Sequence, residues 1–157
     1  MALDVHIILG SKSDRAVAEH AVHMLKTLGI AYQVDIASAH RTPHRVREIV
    51  EHSEAKVFIA IAGLSAALPG MIAAHTLRPV IGVPVSGKVN LDAILSIVQM
   101  PPGVPVAAVG IDSGENAALL AAEILALSSP QIHERLTAYR KEIEEDVENA
   151  AAELKGL

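Results

Sequence analysis

Short apolar runs alternate along the chain with longer segments of mixed polarity. The first run, 5–9, is almost wholly apolar and stops at Gly10, which is typical of a strand covered on both faces of a sheet. Four similar runs predict further strands over 31–36, 57–61, 80–83 and 106–109. The interval between the first two has apolar residues at helical spacing, at Val17, Ala21, Met24, Leu25 and Leu28. We therefore expect helices between the strands.

The alternation of strands and helices predicts an α/β fold. Further helices are expected over 68–76, 91–98 and 115–127, and Thr42 is a credible N-cap residue for a helix that begins at Pro43. This order favours parallel strands joined by right-handed crossovers, with helices on both faces of the sheet. We expect a flavodoxin-like three-layer sandwich with a central parallel sheet.

The last segment predicts one long amphipathic helix over 131–154. Its apolar positions recur every three or four residues with charged residues between them, at Ile132, Leu136, Tyr139, Ile143, Val147, Ala150 and Leu154. At ~1.5 Å per residue this helix would span about 36 Å, comparable with the width of a domain of this size. We expect part of its apolar stripe to pack on another subunit; packing wholly on its own domain is the alternative.

Length and composition exclude several classes of protein. The 157 residues fit a single domain, 1–157, and no apolar stretch reaches the roughly 20 residues that cross a bilayer. The first residues lack the basic region of a signal peptide, so we expect no membrane association and a cytoplasmic location. A net charge of −5 argues against nucleic-acid binding. The absence of cysteine excludes disulfides, thiolate nucleophiles and cysteine zinc sites.

The loops that follow the strands are the candidate site, because open parallel sheets bind ligands beyond the carboxyl ends of their strands. After the first strand, Ser11, Ser13 and Asp14 precede a helix N-terminus and could face an anion, although Ser13 or Asp14 could equally serve as a cap. After the second strand, Ser38, His40 and Arg41 also precede a helix.

The chemistry of the second loop is the more informative. Arginine suits bidentate binding of phosphate, and histidine exchanges protons near neutral pH. A metal site formed by His40 and His44 is not expected, because His40 precedes the helix. Among the other histidines, we expect packing roles for His6 and His75 and solvent exposure for His20, His23, His44, His52 and His133. The sequence therefore predicts a site for a small phosphorylated molecule.

The loop after the third strand consists of small and apolar residues. Gly63, Leu64, Ser65 and Ala67 would let the backbone approach a ligand closely and form a dry pocket. Tight packing between strand and helix is the alternative. The chain has no GxGxxG or GxxxxGK[ST] motif, and its single Phe, two Tyr and absent Trp leave little to stack on a flavin. It also lacks the carboxylate that ends the third strand of a phospho-acceptor receiver domain.

Five segments together resemble the PurE family of purine biosynthesis, in the family's order and at compatible spacings across nearly the whole chain. They are 10–14, 38–43, 68–71, 96–101 and 116–120. The resemblance implies a mutase that moves a carboxylate within N5-carboxyaminoimidazole ribonucleotide to give 4-carboxy-5-aminoimidazole ribonucleotide. It also implies a homo-octamer and a reaction without metal or organic cofactor.

The same resemblance implies a role for each loop. The phosphate would be held by Ser11, Ser13, Ser38 and Arg41, and ribose hydroxyls would bind Asp14. His40 would be the general acid and base, and the loop 63–67 would hold CO2 in a water-poor pocket.

Two positions bear on the branch of the family. The mutase branch usually has histidine where this chain has Ala67. At Ser65 the chain resembles the sister carboxylases, which add CO2 directly to aminoimidazole ribonucleotide. The segments 41–43 and 68–70 follow the mutase branch, so direct carboxylation is the alternative. A sensor that binds a phosphoribosyl ligand without turnover is an alternative of another class, against which His40 argues.

Overall fold

The computed structural model describes residues 3–155, and these contain one five-stranded parallel sheet. The strands are β1 (Val5–Leu9), β2 (Tyr32–Ile36), β3 (Val57–Ala62), β4 (Val80–Pro84) and β5 (Ala107–Ala108). The helices are α1 (Arg15–Thr27), α2 (Pro43–His52), α3 (Leu68–Ala73), α4 (Asn90–Val98), α5 (Gly114–Ala126) and α6 (Pro130–Leu154). Together with structural relatives described below, this arrangement confirms the flavodoxin-like α/β fold.

The sheet separates two apolar cores, as a three-layer sandwich requires. Alternate residues of a strand point to opposite faces, so Ile7 of β1 enters the core formed with α1, α5 and α6, whereas Ile8 enters the core formed with α2, α3 and α4. Phe58 and Ile59 of β3 divide in the same way. Both faces of the central strands are therefore buried, which explains their continuous apolar sequence.

The strand order β2-β1-β3-β4-β5 places β1 beside β3. From β1 the chain crosses to β2 on one side, and from β3 it proceeds to β4 and β5 on the other. The connections after β1 and β3 thus diverge and leave a crevice at the carboxyl ends of these two strands. Such a switch point is where open α/β sheets bind ligands.

Thr42 is the N-cap residue of α2, as expected, but its side chain makes no capping hydrogen bond to the helix. Its hydroxyl instead accepts a hydrogen bond from the Ser38 N–H at 2.9 Å and lies 3.3 Å from the Ser38 carbonyl oxygen. The Thr42 side chain therefore braces the loop that precedes α2. Pro43 is the first residue of the helix, as predicted.

The expected packing role holds for one of the two histidines. His6 is 2% exposed and stacks on Phe58, whereas His75 is exposed. The ring of His6 lies 2.9 Å from Ser53 Oγ and 3.1 Å from Asp35 Oδ2, so both ring nitrogens have partners. The prediction for His75 is wrong because α3 ends at Ala73, and the turn that follows it reaches the surface.

The long C-terminal helix begins at Pro130, where the Ser129 hydroxyl accepts a hydrogen bond from the Ile132 N–H at 3.4 Å. Ile132 and Leu136 are buried against the rest of the chain. From residue 140 to residue 155 every residue is exposed. The second half of the apolar stripe, including Val147 at 70% exposure, therefore has no cover from the described part of its own chain.

Candidate functional site

A cavity of about 480 Å³ lies at the carboxyl ends of β1 to β4. It brings together residues from four loops, among them every site residue predicted from the sequence. These are Ser11, Ser13, Asp14, Ser38, His40, Arg41, Gly63, Leu64, Ser65 and Ala67. The three loops that the sequence predicts as the site, those after β1, β2 and β3, thus form one cavity together with the loop after β4.

The first wall follows β1 and contains a short 3-10 helix, Lys12–Asp14, that leads into α1. Ser11 is its N-cap and accepts a hydrogen bond from the Ser13 N–H at 3.4 Å. The Ser13 hydroxyl lies 3.1 Å from both Ser11 Oγ and Asp14 Oδ1. Ser11 therefore caps the turn and lines the cavity at once, whereas neither Ser13 nor Asp14 makes a capping hydrogen bond with its side chain.

Asp14 is 4% exposed, an unusual position for a carboxylate. Burial raises the pKa of this carboxyl above its ordinary value, and this effect outweighs hydrogen bonds from Ser13 and Ser11 and the charge of Arg41, all of which lower the pKa. Hydroxyl donors stabilise a buried carboxylate of this kind, because they replace the hydrogen bonds that it would make with water.

Arg41 connects the first wall of the cavity with the second. Its Nη2 donates a hydrogen bond to the Gly10 carbonyl at 3.2 Å, and its Nε donates to Ser38 Oγ at 3.3 Å. The Ser38 hydroxyl also accepts a bond from the Arg41 backbone N–H at 3.2 Å. The guanidinium is thereby held at the mouth of the crevice between the loops that follow β1 and β2.

His40 lies on the same loop, is exposed, and lines the cavity one residue before Arg41. Because α2 begins at Pro43, the imidazole stands on the turn that precedes the helix. The N-terminal ends of α1 and α2 lie at this edge of the sheet and, with Arg41, favour an anion there. A proton-transfer group and an anion site are thus adjacent.

The third wall is the loop between β3 and α3, which we call the 63–67 loop. Its residues Gly63, Leu64, Ser65, Ala66 and Ala67 all line the cavity. Ala66 is 1% exposed and packs into the core on the α2, α3 and α4 side. Small side chains and close packing on one face give this wall little polar surface.

Sequence reasoning missed the fourth wall, Val85 and Ser86, which follow β4. The Ser86 N–H donates to Asp112 Oδ1 at 2.8 Å, so the loop before α5 holds this wall in place. The rule that selected the first three loops would have selected this one too, because 80–83 was recognised as a strand. Polar side chains distinguish the first two loops and a run of small residues distinguishes the third, whereas this segment contains only a valine and a serine.

The segment 116–120 does not line the cavity. Ala117 and Ala118 are fully buried in the core beneath α1 and α5, and Asn116 is exposed. Within the described chain this segment contributes to helix packing. Within residues 3–155, no three His, Asp or Glu side chains are grouped so that they could hold a metal ion, and no helix is long and apolar enough to cross a membrane.

Comparison with known proteins identifies close relatives over almost the whole chain. The model of a family described as AIR carboxylase matches residues 4–146. A protein of Methanocaldococcus jannaschii named N5-carboxyaminoimidazole ribonucleotide mutase is 58% identical over 142 residues, 90% of each chain. The Escherichia coli protein of the same name is 46% identical, over 92% of this chain and 90% of that one.

Solved structures agree with these matches. The crystal structure of Treponema denticola PurE has a TM-score of 0.88 and 32% identity, over 96% of this chain and 98% of that chain. A variant of PurE2 from the same organism has a TM-score of 0.90 and 31% identity, with 99% of both chains covered.

Proposed function

The chain belongs to the AIR carboxylase family, and on this basis we propose that it converts N5-carboxyaminoimidazole ribonucleotide to 4-carboxy-5-aminoimidazole ribonucleotide, the mutase step of purine biosynthesis. One observation in the structure supports this most directly. A single cavity joins an anion site at Arg41, a proton-transfer group at His40 and a wall of small residues in the 63–67 loop. The reaction needs these three features together.

The polar walls would bind the ribonucleotide. Ser11, Ser13, Ser38 and Arg41 hold its phosphate, for which the hydroxyls and the guanidinium fork are suited. Asp14 accepts hydrogen bonds from ribose hydroxyls. Binding would then replace the internal hydrogen bonds of these residues by bonds to the ligand, and it would leave the imidazole ring of the substrate near His40.

The chemistry then consists of two half-reactions with one proton-transfer group. Protonated His40 delivers a proton to the exocyclic nitrogen as the bond from that nitrogen to the carboxylate breaks, which releases CO2. The electron-rich ring carbon C4 attacks CO2 and forms the new carbon–carbon bond. Neutral His40 then removes the C4 proton and restores the aromatic ring. The proton returns to His40, so the overall change is an isomerisation and His40 is regenerated.

Retention of CO2 is what the 63–67 loop contributes. CO2 has no charge, and its escape would turn an intramolecular recombination into a bimolecular one. Apart from the Ser65 hydroxyl, the side chains of this loop offer CO2 an apolar wall without hydrogen-bonding groups.

Isotopic labelling tests the proposal. Product should form from N5-carboxyaminoimidazole ribonucleotide in buffer depleted of bicarbonate, with little label incorporated from added ¹³C-bicarbonate. Ser65 and Ala67 are the observation that favours direct carboxylation as a second candidate. Full incorporation of label, with aminoimidazole ribonucleotide and bicarbonate the better substrates, would overturn the mutase in favour of that reaction.

A phosphoribosyl sensor is the remaining candidate, and the presence of His40 in the cavity argues against it. An absorbance assay for the carboxylated imidazole separates the two functions. Tight ligand binding with no product would overturn the assignment of enzymatic activity.

We propose in addition that the chain assembles as a homo-octamer and works in the cytoplasm. For association between subunits, the supporting feature is the apolar stripe of α6, on which Ile143, Val147 and Leu154 are exposed. A second apolar surface is formed by Val34 and Ile36 on the edge strand β2. Both surfaces are suited to contacts between subunits.

A further inference from the structure

Ser65 has a backbone conformation that residues other than glycine seldom adopt. Its φ is 52°, in the left-handed region, where a Cβ atom crowds the following carbonyl. The residue stands in the middle of the 63–67 loop and lines the cavity. An interaction must hold it in this conformation, since an unrestrained serine would relax to an extended or right-handed one.

Asp92 supplies an interaction from outside the loop. Its Oδ2 accepts a hydrogen bond from the Ser65 backbone N–H at 3.0 Å, across 27 positions of sequence. Within the loop, the Ala67 N–H donates to the Ser65 carbonyl, which forms a tight turn. Bonds to an ionised acceptor are about twice as strong as neutral ones, so the carboxylate is the stronger restraint.

Asp92 is itself firmly placed. It lies in the first turn of α4, where the helix dipole favours a negative charge. The next residue, Ala93, is 2% exposed, and Ile97 is fully buried against β4 and α3. The carboxylate therefore connects the 63–67 loop to a helix that is anchored in the core. Asp92 is not among the residues that line the cavity, so any influence on the reaction passes through Ser65.

We propose that Asp92 is a positioning residue that keeps the 63–67 loop closed over CO2 between the two half-reactions. The inference rests on the proposed function. Without the bond from Ser65 to Asp92, the loop would relax and open, and CO2 would escape before C4 attacks it. Substrate binding would change little, because the phosphate and ribose sites lie on the other two walls of the cavity.

The test measures how released CO2 partitions. The wild type and variants are given N5-carboxyaminoimidazole ribonucleotide labelled with ¹⁴C in the carboxylate, and labelled product is compared with labelled bicarbonate in solution. Asp92→Ala should raise the released fraction about tenfold with KM unchanged, which corresponds to the loss of one hydrogen bond to a charged group. Asp92→Asn retains an acceptor oxygen but loses the charge, so its released fraction should lie between those of the wild type and Asp92→Ala.

Glu115→Ala is the matched control. Glu115 is also acidic and in the first turn of a helix, α5, and it accepts a hydrogen bond from the Tyr139 hydroxyl at 3.0 Å, away from the cavity. Its loss should leave the partition unchanged. Should Asp92→Ala not fold, Asp92→Ser, whose side chain is too short to reach Ser65, has the same expected loss.

The outcomes separate this inference from the proposed function. No product from the wild type would overturn both. Product with wild-type retention of CO2 in Asp92→Ala or Asp92→Ser would overturn the role of Asp92 alone. Equal leakage in Asp92→Asn and Asp92→Ala would also overturn it, because an acceptor oxygen at this position would then make no difference to the loop.

Discussion

His40 and His44 are four positions apart and both exposed, yet only His40 lines the cavity. His44 lies within α2, whereas His40 stands on the preceding turn. This pair therefore offers a comparison within one short segment of the chain, between a histidine proposed for catalysis and one without a proposed role.

We predict that His40→Asn lowers kcat by ~10²–10⁴-fold, the usual contribution of a general acid or base, and changes substrate affinity by less than about tenfold. Affinity should persist because the residues proposed for binding are Arg41, the serines and Asp14. Steady-state kinetics and a direct binding measurement give the two values. His44→Asn is the control and should behave as the wild type, whereas activity of His40→Asn within about threefold of wild type would exclude its role.

A second histidine, His6, links stability to pH. Asp35 can only accept a hydrogen bond when ionised, so His6 Nε2 carries the proton, and Nδ1 accepts the bond from the Ser53 hydroxyl. Burial, the largest influence, lowers the pKa of His6 below its ordinary 6.5, and the charge of Arg78 adds to this; the hydrogen bond and charge of Asp35 oppose it only in part. The neutral ring is therefore part of the folded state.

We predict that stability falls as the pH is lowered from 6.5 toward the depressed pKa of His6. The unfolded chain binds this proton more readily than the folded chain in that window, so acid favours unfolding by at most about 1.4 kcal/mol per pH unit for one site. Thermal unfolding of the wild type and His6→Gln between pH 7.5 and 5 measures the slope. His6→Gln should have the flatter dependence, and equal slopes would contradict the prediction.

Asp35 acts in the same direction at lower pH. Its burial, the largest influence, raises the pKa of the carboxyl, but hydrogen bonds from Gln33 and His6 and the charges of His6 and Arg45 outweigh it, and the pKa lies below the ordinary 3.8. The stability contributed by Asp35 is complete above pH 3.8 and is lost as the pH falls through its lowered pKa.

Residue identity predicted which loops form the cavity but not how they are held. Ser11, His40 and Arg41 have side chains whose chemistry is visible in the sequence. The restraint of Ser65 by Asp92 and of Ser86 by Asp112 depends on contacts across 27 and 26 positions, which no local pattern contains. Likewise Thr42 occupies the N-cap position that its residue type predicts, but its hydroxyl bonds to the backbone of Ser38 and not to the helix.

At the scale of elements, buried strands were the easiest to predict. β1 begins and ends at the predicted residues 5–9, because continuous apolar sequence is enough to define a strand covered on both faces. β5 at the sheet edge covers only Ala107–Ala108 of the predicted 106–109. An edge strand has hydrogen-bond partners on one side only, so its extent depends on β4 and the flanking turns more than on its own sequence.

Helix packing depends on a glycine that helix propensity would disfavour. Gly114 is the first residue of α5 and is buried against α1, where a Cβ atom would overlap the Val17 carbonyl oxygen. The absence of a side chain thus permits α1 and α5 to approach closely over the same face of the sheet. Backbone, and not a flexible side chain, occupies the space, so the neighbour cannot yield without moving α1.

We predict that Gly114→Ala destabilises the protein by about 1–3 kcal/mol through this overlap, although alanine has the higher helix propensity. Thermal unfolding at fixed protein concentration should show a Tm lower by several degrees. Gly87→Ala is the matched control, since nothing lies within 4 Å of its added Cβ, and its Tm should stay close to that of the wild type. A raised Tm for Gly114→Ala would show that propensity outweighs packing.

For the whole molecule, the sheet topology explains how one small chain brings the proposed anion site, proton-transfer group and CO2 wall to one cavity. Parallel strands direct four loops to a single edge, and the switch point between β1 and β3 separates the polar walls from the 63–67 loop. In the proposed function, binding energy from the phosphate is used on one side of the cavity while the other side remains poor in polar groups.

Assembly into an oligomer is a property of the whole molecule, and substitutions on α6 test it directly. Val147 is 70% exposed on the stripe whose earlier members, Ile132 and Leu136, are buried. We predict that light scattering at micromolar concentration gives the mass of an octamer, about eight times the 16.5 kDa of the chain. Val147→Glu should give smaller species, because burying a carboxylate in an apolar contact without a partner is unfavourable. Asn149→Glu adds the same group on the opposite side of the exposed helix and should leave the assembly intact. A wild-type monomer would refute the octamer, and an intact octamer in Val147→Glu would place the contacts elsewhere, with Val34 and Ile36 on β2 the next surface to substitute.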